Sequence, residues 1–169
     1  MSVRRTLNGF ALAAAIGLAP GCSTSNPGSG NGAPAALVSG DWENDGSEFQ
    51  IRIASFEGEC AVRQASSDKA NSTVLEIDLP VTGTTVAAGT YTLGAAETSG
   101  EIKVWDDTCQ KTLVEDVTGT VTIDASFGSG STASGSYSVQ LSDGSTKTGS
   151  FSVAFCDTSM ITSTSNCAR

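Results

Sequence analysis

Histidine is absent from this 169-residue chain, and several other residue types are scarce. It has two Trp, two Tyr, two Met and four Pro, and 9 Lys and Arg against 18 Asp and Glu. Without histidine, neither a Ser-His nor a Cys-His nucleophile pair can form, which excludes hydrolases of those classes. The cysteines form no Cys-x-x-Cys pair either, so the sequence predicts no zinc site.

The shortage of basic residues limits the possible partners. The formal net charge is -9, and removal of Arg4 and Arg5 with an N-terminal leader would bring it to about -11. Such a surface repels nucleic acid and anionic lipid headgroups. We therefore expect no nucleic-acid partner and no electrostatic attachment to a membrane.

Long apolar runs are also missing, and the longest candidate lies in the leader. Phe10–Ala19 is too short to span a bilayer but suits the apolar part of a signal peptide. The segment that follows, Leu-Ala-Pro-Gly-Cys at 18–22, resembles the lipobox of bacterial lipoproteins. The resemblance implies a signal peptide at 1–21 and a lipid anchor on Cys22. Ser23 in place of Asp then favours the outer membrane.

The cysteine count agrees with a lipidated Cys22. Of five cysteines, four remain for the folded part, enough for two disulfides in an oxidising, exported environment. These four are Cys60, Cys109, Cys156 and Cys167, and their number alone leaves three connectivities open. Residues 22–35 contain the lipidated cysteine and a Gly/Ser/Pro-rich tether, and residues 36–169 form the predicted domain.

Alternation of apolar and polar residues indicates a domain made of short hairpins. The clearest one spans 134–156, where a three-residue loop with Gly144 in the left-handed position would pair Leu141 with Ser145 and put all the apolar residues on one face. A two-residue Asp-Gly turn would place Trp42 opposite Phe49. A second turn at Glu57-Gly58 would begin another hairpin.

We predict an all-β domain with no helix: an antiparallel meander of eight to ten strands, forming a barrel or sandwich stapled by two disulfides. A recurring motif of Gly, hydroxyl, apolar and hydroxyl residues begins at Gly89, Gly119, Gly135 and Gly149. We interpret it as a bend entering a strand whose third residue faces the core.

The Gly-Thr-Tyr-Thr-Leu-Gly segment at 89–94 and the closing Gly-Ser-Phe strand that ends in Cys156 resemble small exported β lipoproteins without an assigned activity. That resemblance implies the pairs Cys109–Cys156 and Cys60–Cys167, with a short Cys156–Cys167 loop as the alternative. Gly40-Asp41-Trp42 resembles the Gly-x-Trp of lipocalins, which implies a Trp at the barrel floor and a small-ligand carrier as one alternative function.

Acidic residues and tryptophans are the candidate contact groups. Glu76 and Asp78 share one strand face at near-glycosidase spacing, but we interpret them as solvated acids on an outer face. Asp41–Gly46 resembles half of a calcium loop, but an EF-hand needs an acid where Arg52 stands. Trp42 and Trp105 could contact a ligand, although core packing is the favoured interpretation for tryptophans in this chain. Trp105 is predicted to lie on the polar face of its strand, which makes it the better contact candidate.

The sequence therefore predicts a non-enzymatic lipoprotein of the bacterial cell envelope, without metal or cofactor. It would be held at the outer membrane through its lipid and would bind an unknown protein or carbohydrate partner or serve a structural role. The alternatives are a carbohydrate-active enzyme with paired carboxylates and the lipocalin-like carrier.

Overall fold

The computed structural model of the protein describes residues 36–44, 48–95, 97–159 and 166–168. Strands make up 62% of these residues and helix 5%, so the domain is mostly β. The predicted signal peptide at 1–21 and the tether at 22–35, with Cys22, lie outside them.

The described elements are thirteen strands and one short helix. They are β1 Ser39–Asn44, β2 Glu48–Ala54, α1 Glu59–Gln64, β3 Ser67–Lys69, β4 Ser72–Pro80, β5 Thr85–Val86, β6 Gly89–Leu93, β7 Ser99–Trp105, β8 Lys111–Asp116, β9 Thr118–Ile123, β10 Phe127–Gly128, β11 Thr132–Gln140, β12 Thr146–Phe155 and β13 Asn166–Ala168.

Nine of the strands form one sheet in the order β6-β9-β11-β12-β1-β2-β4-β7-β8. All the neighbouring strands in this sheet are antiparallel except β1 and β12, which pair in parallel. The other strands form two small sheets, β10-β5 and the parallel pair β13-β3. The nine strands of the main sheet fall within the predicted eight to ten, but the small sheets bring the described strands to thirteen. The prediction of a single antiparallel meander is wrong at the two parallel pairs.

Short connections curl the main sheet into a half-barrel. Strand β6 lies at one edge, yet five residues (94–98) link it to β7, next to the opposite edge. Val117 alone links the edge strand β8 to β9. Because a chain spans at most about 3.6 Å per residue, such links hold the two edges close together. At Gly100 a Cβ atom would lie 2.9 Å from both Leu93 Cδ1 and Val117 Cγ2.

Apolar side chains fill the concave side of the sheet. Trp42, Phe49 and Phe127 are buried there, with the Trp42 ring centroid 4.9 Å from that of Phe49 and 5.0 Å from that of Phe127. From β4 the predicted inward residues Leu75, Ile77 and Leu79 are fully buried. Each such side chain contributes about 1.5–3 kcal/mol through burial.

The β11–β12 hairpin confirms the predicted register. Leu141 N donates to Ser145 O at 2.9 Å, and Val139 lies opposite Lys147. Gly144 has φ +83°, a conformation that glycine adopts without strain. Only the three-residue loop puts both apolar sets on one face, and the observed register meets that requirement.

The first hairpin is shifted by two residues from its predicted register. Trp42 lies opposite Ile51, and Asn44 opposite Phe49. A shift of two keeps every side chain on its original face, so Trp42 and Phe49 still stack diagonally in the core.

The segment after β2 corrects the prediction of an all-strand chain. Glu57-Gly58 does not begin a hairpin; Gly58 precedes α1 with φ +80°, and Ile53 pairs with Leu75 of β4. Residues 59–64 lack the alternation of a strand and include the good helix formers Glu, Ala, Arg and Gln. The helix lies over the outer face of the sheet.

Two disulfides are present, as predicted, but the predicted pairs Cys109–Cys156 and Cys60–Cys167 are wrong. The bonds are Cys60–Cys156 and Cys109–Cys167, each with a Cα–Cα distance of 5.6 Å. Cys60 lies in the unpredicted helix beside the end of β12. Cys167 lies in β13, which pairs with β3, and Cys109 Sγ is 3.5 Å from the β3 carbonyl oxygen of Asp68.

Candidate functional site

The outward face of strands β1, β2, β4 and β7 carries a cluster of charged side chains. Asp41, Arg52, Glu76 and Glu101 lie opposite one another on successive strands and form a row across the sheet. Their neighbours along each strand point into the apolar core, so the strand period of two sends these four outward. Helix α1 covers part of this row.

Glu76 lies at the centre of the row between two cations. Its carboxylate pairs with Arg52 Nη1, and its Oε1 accepts a hydrogen bond from Lys103 Nζ at 2.6 Å. Lys103 Nζ also contacts Glu101 at 2.9 Å, and Arg52 Nε contacts Glu59 of α1 at 2.8 Å. The chain of ion pairs therefore connects β2, β4, β7 and the helix.

Arg63 joins the helix to the first strand. Its Nη1 lies 3.3 Å from Asp41 Oδ1, and its Nη2 pairs with Glu43. The other Glu43 oxygen accepts a hydrogen bond from the Thr158 hydroxyl. Gln64 at the end of the helix donates to Asp157 O at 3.0 Å. These contacts hold α1 on the sheet independently of its disulfide.

Burial raises the pKa of both central carboxylates, but the net shift of the pKa differs between them because their neighbouring cations differ. Loss of solvation raises the pKa of Asp41 from 3.8 to about 6, against the opposing effect of Arg63. Burial also acts to raise the pKa of Glu76, but Arg52 and Lys103 outweigh it and hold that pKa below its ordinary value. Glu76 is therefore ionised at neutral pH, whereas Asp41 titrates close to neutrality.

Asp41 also adjoins a disulfide. One of its carboxylate oxygens and the sulfur atoms of Cys60 and Cys156 all lie within 4.8 Å of one another. The side chain is almost completely buried, and its Oδ2 has no hydrogen-bond partner among the described residues. This corner brings together a β1 carboxylate, a helix cysteine and the cysteine that follows β12.

Neither predicted tryptophan forms a surface platform. Trp42 is 0% exposed in the main core, and Trp105 is 5% exposed on the outer side of the sheet. Trp105 does lie on the polar face of its strand, but it packs there with Ala54 and Val74 in a second apolar cluster. The cluster was missed because its cover, α1 with the β3–β13 pair, was not predicted.

The carboxylates proposed for glycosidase chemistry have other partners. Glu76 is only 7% exposed, so the expectation of a solvated acid on an outer face is wrong for it. Asp78 accepts hydrogen bonds from Gln50 at 3.0 Å and from Ser99 at 2.6 Å. A glycosidase acid needs a raised pKa, whereas that of Glu76 is lowered.

The acids that resemble half of a calcium loop are likewise engaged within the protein. Asp41 and Glu43 both pair with Arg63. Asp45 and Gly46 lie outside the described residues. A guanidinium group thus occupies the position that a calcium ion would need in front of Asp41 and Glu43.

The other half of the sheet has an outward face of a different kind, which we call the hydroxyl face. Its Thr and Ser side chains lie opposite one another across β6, β9, β11 and β12. They are Thr90, Thr92, Thr118, Thr120, Thr122, Thr132, Ser134, Ser136, Ser138, Thr146, Thr148, Ser150 and Ser152. Lys147, the only charged residue of these four strands, pairs with Val139 on the inner side.

The sequence contained a signal for each half of the sheet. The Gly-led motif places a hydroxyl residue on either side of an inward-facing residue, which is buried in three of the four copies (Val121, Tyr137 and Phe151) and partly buried in the fourth (Tyr91). This spacing builds the hydroxyl face. Opposite charges at alternate positions of neighbouring strands could have indicated the ion pairs. The ion-pair signal was missed because it requires the correct strand order and the helix that buries it.

Across the stretches that the structure describes, no helix has the length and apolarity needed to cross a membrane. No protein-family model matches the chain, and neither a curated protein nor a solved structure is significantly similar to it.

Proposed function

We propose that the protein is a lipid-anchored, non-enzymatic domain of the bacterial cell envelope, attached to the outer membrane through Cys22. The observation that carries this proposal is the pairing of the cysteines. Cys60 pairs with Cys156 and Cys109 with Cys167, so Cys22 is the one cysteine left over from the five in the chain. A single cysteine after an apolar leader is the arrangement that lipid attachment requires.

The disulfides also support an exported location. Disulfides persist in oxidising compartments and are rare in the cytosol. Both bonds fasten an accessory element, α1 or β13, to the rest of the domain. Such cross-links suit a domain that must remain folded outside the cytoplasm, at the end of a polar tether.

The described side chains favour a binding or structural role over catalysis. The candidate acid Glu76 is fixed between two cations, and the candidate tryptophans are buried. The hydroxyl face, by contrast, is broad, exposed and free of formal charge. On a chain of net charge -9 it is the region that an uncharged partner, such as a neutral polysaccharide or another protein, could approach with the least repulsion.

The interior gives little support to a small-ligand carrier. The space beside Trp42 is occupied by the buried rings of Phe49 and Phe127, whose centroids lie 4.9 and 5.0 Å from that of Trp42. The partly exposed ring of Phe155 lies 4.9 Å from Trp42. A carrier would need a cavity of about 300 Å³ or more at such a position. We therefore place the binding surface on the outside of the sheet.

Labelling with radioactive palmitate tests the anchor. Bacteria that produce the protein should incorporate label into it, and the protein should fractionate with the outer membrane. The Cys22→Ala variant should remain unlabelled, whereas Cys109→Ala, which removes a disulfide cysteine, should retain the label. Absence of label in the parent protein, or label in Cys22→Ala, would refute the proposal.

A further inference from the structure

We propose that reduction of Cys60–Cys156 creates a binding site for a thiophilic divalent cation such as Zn²⁺ or Cd²⁺. The ligands are the Cys60 and Cys156 thiolates and the carboxylate of Asp41. This site is independent of the lipid anchor and of the binding surface proposed above.

The three ligands come from β1, from α1 and from the residue that follows β12, and other contacts than the S–S bond hold each of them in place. Asp41 lies in β1, where the backbone is paired on both sides by β2 and β12. Cys156 is fixed beside it, because its N donates to Trp42 O at 2.8 Å. Cys60 belongs to α1, which the ion pairs of Arg63 and Glu59 hold on the sheet.

The distances suit a metal that is bound by sulfur and oxygen. Zinc lies about 2.3 Å from a thiolate sulfur and about 2.0–2.2 Å from a carboxylate oxygen. The Asp41 oxygen and both sulfur atoms already lie within 4.8 Å of one another. After reduction the sulfur atoms must separate, which requires side-chain rotations but no movement of a strand. Asp41 Oδ2 is buried without a hydrogen-bond partner and is therefore available.

The reaction balances with an ordinary thiol reductant. A dithiol transfers two electrons and two protons to the S–S bond, which breaks to give two cysteine thiols, while the dithiol becomes a disulfide. The cation then replaces the two thiol protons, which are released to solvent. Asp41 contributes its carboxylate.

The surrounding charges favour a cation in this corner once the thiolates have formed. Arg52 and Arg63 are balanced by Glu59 and Glu43, with which they form ion pairs. Two thiolates and Asp41 would then leave three negative charges in a buried space, which is costly without compensation. A divalent cation offsets most of that charge. Arg63 contacts Oδ1 of Asp41, so Oδ2 is left for the metal.

The second disulfide is an internal control. Within the described residues, only Asp41, Cys60 and Cys156 form such a group of three potential ligands. Cys109 and Cys167 have the same Cα–Cα distance but no carboxylate of that kind. Reduction of both disulfides thus produces two dithiol pairs, of which one is predicted to bind the cation tightly.

The experiment is a Cd²⁺ titration of the reduced protein at low temperature. The protein is reduced with dithiothreitol, freed of the reductant under argon and titrated while the sulfur-to-cadmium absorption in the ultraviolet is recorded. Near-ultraviolet circular dichroism reports whether the fold is retained. Parent protein, Asp41→Asn, the double variant Cys60→Ser/Cys156→Ser and the double variant Cys109→Ser/Cys167→Ser are compared.

The parent protein and Cys109→Ser/Cys167→Ser should each bind one tight equivalent of Cd²⁺ when reduced and none when oxidised. The tight equivalent should disappear in Cys60→Ser/Cys156→Ser and weaken at least tenfold in Asp41→Asn. Equal binding by Asp41→Asn would overturn the proposal, since an unfolded dithiol would bind without the carboxylate. Loss of the fold on reduction without recovery on adding Cd²⁺ would also overturn it.

Discussion

At the scale of single residues, Asp41 makes stability depend on pH in an unusual direction for a carboxylate. Its pKa is about 6 in the folded protein because of burial, against an ordinary 3.8. Between these values the folded state binds more protons than the unfolded state, so the free energy of unfolding falls as the pH rises. The ionised Asp41 costs about 3 kcal/mol above pH 6, at about 1.4 kcal/mol per pKa unit.

We expect Asp41→Asn to stabilise the oxidised protein at pH 7. The amide removes the buried charge and keeps the shape, but it weakens the contact with Arg63, so the expected gain is about 1–2 kcal/mol. Near pH 4 the two proteins should have the same stability, because Asp41 is then protonated. Urea unfolding at several pH values between 4 and 7 measures the difference.

Asp124→Asn is the matched control, since Asp124 is an exposed acid at the end of β9. That variant should follow the parent protein across the whole pH range within about 0.5 kcal/mol. If the difference in stability between Asp41→Asn and the parent were the same at pH 4 and at pH 7, the Asp41 carboxylate would not be the source of the pH dependence.

At the scale of strands, β11 and β12 are joined by a reciprocal pairing of glycine with an aromatic ring. Gly135 lies opposite Phe151, and Gly149 lies opposite Tyr137. A Cβ atom at Gly149 would lie 2.5 Å from Tyr137 Oη and 2.7 Å from its Cζ, and one at Gly135 would lie 2.9 Å from Phe151 Cζ. Each glycine therefore makes room, by lacking a side chain, for the aromatic ring of the residue opposite it on the other strand.

We predict that Gly149→Ala destabilises the domain by about 1–3 kcal/mol, because the added methyl group displaces the buried Tyr137 ring. The exposed neighbour Ser150→Ala should change stability by less than about 0.5 kcal/mol. In a Tyr137→Leu background the cost of Gly149→Ala should shrink, since the shorter side chain does not reach the methyl group. Additive effects in this double-mutant cycle, measured by urea unfolding, would contradict the explanation.

Among the strands and the helix, some features of the fold could be predicted from the sequence and others could not. The β11–β12 register followed from the sequence because only one loop length keeps Tyr137, Val139 and Phe151 on one face. Helix α1 could not be predicted, since six residues carry too little periodicity and the helix depends on its contacts with the sheet. Its omission also hid the burial of Glu76 and of Trp105, whose strand faces were assigned correctly.

At the scale of the whole molecule, the outer surface of the sheet is divided in two. The half that holds β1, β2, β4 and β7 is covered by α1 and the β3–β13 pair and is closed by ion pairs. The half that holds β6, β9, β11 and β12 is open and carries hydroxyl groups. The ion pairs and the hydroxyl face thus belong to different halves of one sheet, with the parallel β1–β12 pair as the boundary.

The cysteines illustrate what a sequence determines at this scale. Their number predicted two disulfides and a separate Cys22, because parity does not depend on the fold. Their connectivity requires knowing that α1 reaches the end of β12 and that β13 returns beside β3. Both are long-range contacts, and the bonded cysteines lie 96 and 58 residues apart in the sequence, which no local pattern encodes.

The connectivity can be tested on the intact oxidised protein by mapping its peptides. Trypsin alone is insufficient, because it leaves Cys156 and Cys167 together on the peptide 148–169. Cleavage after Met160 with cyanogen bromide separates them. The peptide 53–63, which contains Cys60, should then be linked to 148–160, and the peptide 104–111, which contains Cys109, to 161–169. A link from 104–111 to 148–160 would mean that α1 is not fastened to β12, and the buried corner around Asp41 would not exist as described.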